Sequence, residues 1–155
     1  MEKAIVSDTT CLIILSKIGE LDLLKNLFAN VIITPEIQKE YGQPLPDWIV
    51  IESVTGNHQF SVLSLLLDEG EASVLALCLE KPNSLLIIDE RKGRKIAKEL
   101  HITTIGTLGI LLEAHRQGYL KSLRSSIEDI RKTDFRISKD LLNAVLAQAG
   151  ESPLT

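Results

Sequence analysis

Four carboxylates are spaced so that a fold of alternating strands and helices could gather them. Asp8 follows the apolar run AIVS, and Asp89 follows LLII. In an open parallel sheet, ligands collect outside the carboxyl ends of the strands. An Asp at such a junction also makes a good helix N-cap, so each of the two has a second, structural reading. Glu40 ends a short helix opening at Pro35, where its charge opposes the helix dipole; its plainer reading is a solvated surface Glu. Glu71 lies in DEGEAS, where Asp68, Glu69 and Glu71 crowd a helix start, a place that acidic residues favour for helix stability alone. Two carboxylates in one crevice repel, and the arrangement persists most readily with a cation or a shared proton. Three or four hard oxygen donors suit Mg²⁺ or Mn²⁺, and the absence of a Cys/His cluster disfavours zinc. Such an ion generates a nucleophilic hydroxide and stabilises charge developing on phosphorus, which is the chemistry of phosphodiester hydrolysis.

A nuclease must also attract a polyanion. The chain of 155 residues has a net charge of −4, from 17 Lys+Arg and 21 Asp+Glu, which at first argues against a nucleic-acid partner. Its distribution argues otherwise: residues 1–90 carry −9, residues 91–139 carry +7 and the last 16 carry −2. The densest basic run, Arg91, Lys92, Arg94, Lys95 and Lys98, begins two residues after Asp89. Lys and Arg contacts to phosphate supply most non-specific nucleic-acid affinity. Arg91 and Arg94, in the first turn of the expected helix, are the better-placed substrate contacts; a solvated helix face is the alternative. Aromatic residues make up only 4%, which argues against an aromatic base-stacking platform.

The elements that must position these groups follow from patterning. Strands are expected at residues 4–7, in VIIT, in WIVIESV, in SLLIID and in ITTI. Helices are expected from residue 9 to a stop at Gly19, in LDLLKNLF, from Pro35 behind an N-capping Thr34, near 59–67, in DEGEASVLALCLE, in ERKGRKIAKEL, and from Gly106-Thr107 to Gly118. Two more helices are expected after Leu120, the second being SKDLLNAVLAQAG. Strands separated by helices imply parallel pairing, hence an α/β fold: a three-layer α/β/α sandwich with a central parallel sheet. One domain is expected over residues 1–150, with 151–155 as a short C-terminal tail. Cys11 and Cys78 sit singly in apolar stretches and read as buried thiols of a reducing compartment. No signal peptide and no membrane span is expected, which points to a cytoplasmic protein.

Together, IVSDTTCLIILSKIGELDLL, LDEGEASVLALCLE, LLIIDERKGRKIAKEL and IGTLGILLEAHRQGYL resemble a PIN domain. The resemblance runs from Ile5 to about Gly150 and is greatest to the branch of PIN-like proteins related to VapC toxins, often encoded beside small antitoxins. It implies a PIN-like sandwich and a metal-dependent endoribonuclease, with Asp8, Glu40, Glu71 and Asp89 as catalytic, metal-ligating residues. Glu90 stands where relatives often have a second Asp, so water-mediated metal contact and a solvated helix start are both open. After Asp8 the family usually has Thr-Ser-Pro; here Thr10 replaces Ser and Cys11 replaces Pro. Thr10 keeps a hydroxyl for a metal-bound water or a phosphate, while helix capping is the alternative for both Thr10 and Thr107. The resemblance further implies an RNA substrate, an antitoxin that blocks the acidic pocket with a basic side chain, and a homodimer.

Two other functions stay open on the residues alone. One is a catalytically silent PIN-like module that binds RNA or protein, which the complete acidic set disfavours. The other is an Asp-nucleophile phosphatase built on Asp8. That chemistry wants a second Asp two residues on, where this chain has Thr10.

Overall fold

The computed structural model describes residues 3–154. Its chain runs β1 (Ala4–Ser7), α1 (Thr9–Lys17), α2 (Asp22–Phe28), β2 (Val31–Ile33), α3 (Pro35–Tyr41), β3 (Ile49–Ile51), α4 (His58–Leu63) and α5 (Glu69–Leu79). It continues through β4 (Ser84–Ile87), α6 (Arg91–Glu99), β5 (Thr103–Ile105), α7 (Thr107–Arg116), α8 (Leu123–Arg131) and α9 (Lys139–Gln148). The five strands form one parallel sheet in the order β3-β2-β1-β4-β5, flanked by helices as an α/β/α sandwich. The central pair, β1 and β4, is aligned from Ala4 opposite Ser84 to Ser7 opposite Ile87. Central strands of a parallel sheet are covered on both faces and so read as apolar runs rather than alternating ones.

The strand order reverses between β1 and β4. From β1 the chain moves outward through β2 to β3, then returns to lay β4 on the other side of β1. The crevice beyond the carboxyl ends of such a pair is the usual ligand position in this architecture. The backbone amide of Asp8 donates to the Ile87 carbonyl at 2.9 Å, which ties the two strand ends together where Asp8 and Asp89 leave the sheet.

Local chemistry accounts for the helix starts. Thr34 caps α3 by accepting from the Ile37 amide at 3.2 Å, with Pro35 in the first turn where its missing N–H is harmless. Asp68 caps α5 by accepting from the Glu71 amide at 2.8 Å. Glu90 caps α6 by accepting from the Gly93 amide at 2.9 Å. Helix α1 ends before Gly19, whose positive φ is readily adopted by glycine. Helix α5 is buried from Gly70 to Cys78, packs on β1 and β4, and is flanked by α3 and α4. On the other side α7 packs with α1, α2, α8 and α9. Cys11 and Cys78 are free and buried, as expected, and burial pushes their thiols up to about 12 and about 11.

Three expected elements are shorter or differently arranged. The strand in WIVIESV is only Ile49–Ile51, because it lies at the sheet edge with Val50 and Ile51 exposed. Beyond it the chain turns away, and the Thr55 and Gly56 amides bind the Glu80 carboxylate below α5. The helix near 59–67 spans His58–Leu63 and then tightens into turns, with Leu65 bonded to Val62 and Leu66 to Leu63. Those turns bring Asp68 round to start α5. The chain after α9 packs back on the fold: Arg124 donates to the Ser152 carbonyl, and the Leu154 amide donates to Asn143 at 2.7 Å. No described helix is long and apolar enough to cross a membrane.

Candidate active site

Asp8 stands at the N-cap position of α1, yet its carboxylate makes no capping bond to that helix. Capping therefore does not explain the residue. The side chain is 5% exposed. Its pKa is pushed from the ordinary 3.8 up to about 7, chiefly by burial. The Thr9 amide pulls the other way, while the charges of Glu40, Asp68 and Asp89 add to the rise. A carboxylate that senses three others in one crevice is a place where a cation would relieve repulsion.

Glu71 is the second buried acid, 9% exposed in the first turn of α5. Its pKa is pushed up to about 8, first by burial and then by Asp68, Asp8 and Glu90. One oxygen, Oε2, is buried without a hydrogen-bond partner, an arrangement that is rare in folded proteins and is explained when an ion or water belongs there.

Glu40, in the last turn of α3, is exposed and accepts from the Thr9 hydroxyl at 2.5 Å. Asp89 is half-buried and accepts twice from the start of α7. The Thr107 amide reaches Oδ1 at 2.9 Å and the Thr107 hydroxyl reaches Oδ2 at 2.6 Å. Asp89 thus satisfies an amide that α7 itself leaves orphaned. Thr107 does not cap its own helix; Gly106 holds the N-cap position. The helix start after β4 is capped by Glu90, so Asp89 is free of that duty as well. Glu90 acts as a structural cap with an exposed side chain.

The four acids named from sequence are therefore brought to one end of the sheet, with Asp68 beside Asp8 and Glu71 as a further charge. None of the five is in an ion pair among the described residues. Asp8, Glu71 and Asp89 also lie at N-terminal ends of helices, whose partial positive charge offsets part of their repulsion. All donors are hard oxygens, and with the unpartnered Glu71 Oε2 their chemistry fits Mg²⁺ or Mn²⁺. As placed, no group of three or more His, Cys, Asp or Glu among the described residues stands close enough to enclose an ion. Glu40 and Asp89 are turned toward Thr9 and Thr107 instead.

The expected substrate contacts divide. Arg94 lines a cavity of about 480 Å³ that it shares with Asp89, and joins Arg91, Lys95 and Lys98 along a second groove of about 480 Å³. A basic flank thus runs from the acidic crevice along α6. Thr10 lines a separate cavity of about 240 Å³ with Lys17 and Phe135, and it is Thr9 that gives its hydroxyl to Glu40. On the other flank, an open cavity of about 760 Å³ adjoins Asp68 and Glu69.

A family model described as a PIN domain matches residues 4–151. The chain belongs to the PIN-domain family. PIN domains are generally nucleases and typically use divalent metals. No match was found among curated proteins or among solved structures. Sequence reasoning on this PIN domain underrated Asp68, Thr9 and Thr107. Asp68 was readable as an N-cap three residues before Glu71, but its charge on Asp8 depends on the packing of α5 beside β1.

Proposed function

We propose that this PIN domain is a metal-dependent endoribonuclease acting on RNA phosphodiester bonds. The observation that carries the reading is the pair of buried, mutually repelling acids Asp8 and Glu71, together with the unpartnered Glu71 Oε2. Asp8, Glu40, Glu71 and Asp89 would hold Mg²⁺ or Mn²⁺, which when bound supplies a hydroxide nucleophile and neutralises charge on the phosphate. Thr9 and Thr107 orient Glu40 and Asp89 by hydrogen bonds. Arg94 and Arg91 attract the RNA backbone along α6 and bring a phosphate toward Asp89. Thr10 is the hydroxyl proposed for a substrate phosphate or metal-bound water.

The division of charge along the chain, with an uncompensated acidic crevice beside basic α6, also suits a toxin held silent by a partner. We propose a type II toxin–antitoxin role in a cytoplasmic setting, with an antitoxin that inserts a basic side chain among the carboxylates. An Arg there would form bidentate charge-assisted bonds in place of the ion. The protein is also proposed to self-associate as a homodimer.

A catalytically silent binding module is the second reading. It is favoured by the engagement of Glu40 and Asp89 with threonines and by the lack of an enclosed ion position among the described residues. Incubating the protein with a mixed RNA pool separates the two. The nuclease reading expects cleavage with Mn²⁺ that EDTA stops, whereas RNA retained on the protein but uncut under both conditions supports the silent module.

A further inference from the structure

Three glycines at this site are not required by the backbone. The described glycines with positive φ are Gly19, Gly42, Gly118 and Gly150, whereas Gly70, Gly93 and Gly106 have conformations open to any residue. What sets these three apart is what a Cβ would meet. At Gly70 the three nearest atoms all belong to the Glu40 carboxylate, with Cδ at 2.8 Å and Oε2 at 2.9 Å. At Gly93 a Cβ would lie 2.9 Å from Glu71 Oε2 and 2.7 Å from Ile88 Cδ1. At Gly106 it would lie 2.9 Å from Asp89 Oδ1, with Arg94 Nη1 at 3.5 Å. Real Cβ atoms do not approach so closely, so each side chain would have to move.

Each glycine sits at the start of a helix: Gly70 in α5, Gly93 in α6 and Gly106 before α7. Three of the four acids therefore rest their carboxylates on the bare N-terminal turns of three helices. The absent Cβ lets each carboxylate approach the partial positive charge of those turns. Glu71 Oε2, buried and unpartnered, lies against the Gly93 turn.

We infer that Gly70, Gly93 and Gly106 are positioning residues, whose lack of a side chain leaves Glu40, Glu71 and Asp89 room at three helix starts, from which their carboxylates turn inward to take a divalent cation. The inference rests on the metal-binding reading of the crevice. Gly70 is the sharpest case, because only the far end of an exposed, flexible Glu40 must yield to a Cβ there. That movement is expected to draw Glu40 out of its bond with Thr9 while leaving the backbone in place. Gly109 provides the control. A Cβ there would meet Ile105 Cγ1 at 2.8 Å, a contact as close as those at Gly93 and Gly106 that involves no carboxylate.

The test is calorimetric titration of Mn²⁺ into wild-type protein, Gly70→Ala, Gly93→Ala, Gly106→Ala and Gly109→Ala, with thermal melts in EDTA alongside. The three site variants are expected to bind Mn²⁺ at least tenfold more weakly. Gly109→Ala is expected to stay within twofold of wild type whatever its melting temperature. In EDTA, Gly70→Ala is expected to melt within roughly 4 °C of wild type, because the helix preference of alanine over glycine in α5 offsets most of the lost Thr9–Glu40 bond, which separates positioning from folding. In a Gly70→Ala/Glu40→Asp double variant, the shorter acid draws back from the new Cβ, and binding is expected to exceed that of Gly70→Ala alone. Unchanged binding in Gly70→Ala and Gly106→Ala overturns the inference, as does an equal loss in Gly109→Ala or a double variant no better than the single. If wild type itself takes up no Mn²⁺, the metal reading of the crevice fails, and the inference with it.

Discussion

Replacing Asp8 by Asn keeps the side-chain shape and removes the most constrained charge in the crevice. A carboxyl whose pKa is raised by folding binds its proton more tightly folded than unfolded. Its ionisation therefore destabilises the fold as pH rises through the interval between the two values. For Asp8 that interval runs from 3.8 to about 7. At about 1.36 kcal/mol per pH unit, the raised pKa of Asp8 opposes the metal-free fold by roughly 4 kcal/mol at pH 8, where the folded carboxyl is ionised, and by roughly 2 kcal/mol at pH 5, where it keeps its proton in the fold and loses it on unfolding. The asparagine amide needs a partner of its own, so the net gain at pH 8 is expected at about 2–4 kcal/mol. For a domain of this size that corresponds to a rise in Tm of roughly 4–16 °C. The assay is thermal or urea unfolding of both proteins in EDTA at pH 5 and pH 8. Asp8→Asn should be the more stable at pH 8, with a margin that shrinks toward zero at pH 5, while losing divalent-dependent cleavage. Saturating Mn²⁺ should narrow or reverse the difference, because only the wild type gains the full binding energy. A variant less stable than wild type at pH 8 in EDTA, or a margin that does not grow with pH, would refute the reasoning.

Three further outcomes follow from individual contacts. Asp68→Asn retains a side chain able to cap α5 and removes a charge that raises both Asp8 and Glu71, so stability in EDTA at pH 8 should rise by about 1 kcal/mol, whereas Asp68→Ala forfeits the cap and should gain less; chemical denaturation of the two variants checks this. Thr107→Val deletes the bond from the buried hydroxyl to Asp89 and should lower stability by about 1–3 kcal/mol and weaken Mn²⁺ binding, while Thr107→Ser should restore both, as melts and calorimetry would show. Arg91→Gln/Arg94→Gln should weaken single-stranded RNA binding across sequences and reduce the slope of log K against log salt by about 1.4, measured by fluorescence anisotropy at several salt concentrations.

Most of the architecture was legible because the decisive signals are local. The apolar runs at β1 and β4 announce covered strands, and Thr34-Pro35 announces a helix start within two residues. The edge strand β3 was read too long. Glu52 still donates its amide to the Ile33 carbonyl of β2 at 2.9 Å, but after it the chain turns away so that the Thr55 and Gly56 amides reach the carboxylate of Glu80. The acids were legible because they stand in order at strand and helix ends, although capping and helix-dipole stability offered a structural reading of each of Asp8, Glu71 and Asp89. Their partners were not. Thr9 and Glu40 are 31 positions apart, and Thr107 and Asp89 are 18 apart, so those bonds exist only once the sheet has closed. The glycines were harder still, since a missing side chain leaves no mark on periodicity or charge. Gly93 is visible only as space that Glu71 occupies.

The most direct test of the central claim is cleavage of a mixed RNA pool by wild-type and Asp8→Asn protein, each with Mn²⁺ and with EDTA at pH 8. A nuclease built on this crevice should cut only as wild type with Mn²⁺. The ends should be linear rather than 2′,3′-cyclic phosphates, because water and not the RNA 2′-hydroxyl attacks. Equal cleavage by Asp8→Asn, or cleavage that survives EDTA, would contradict it.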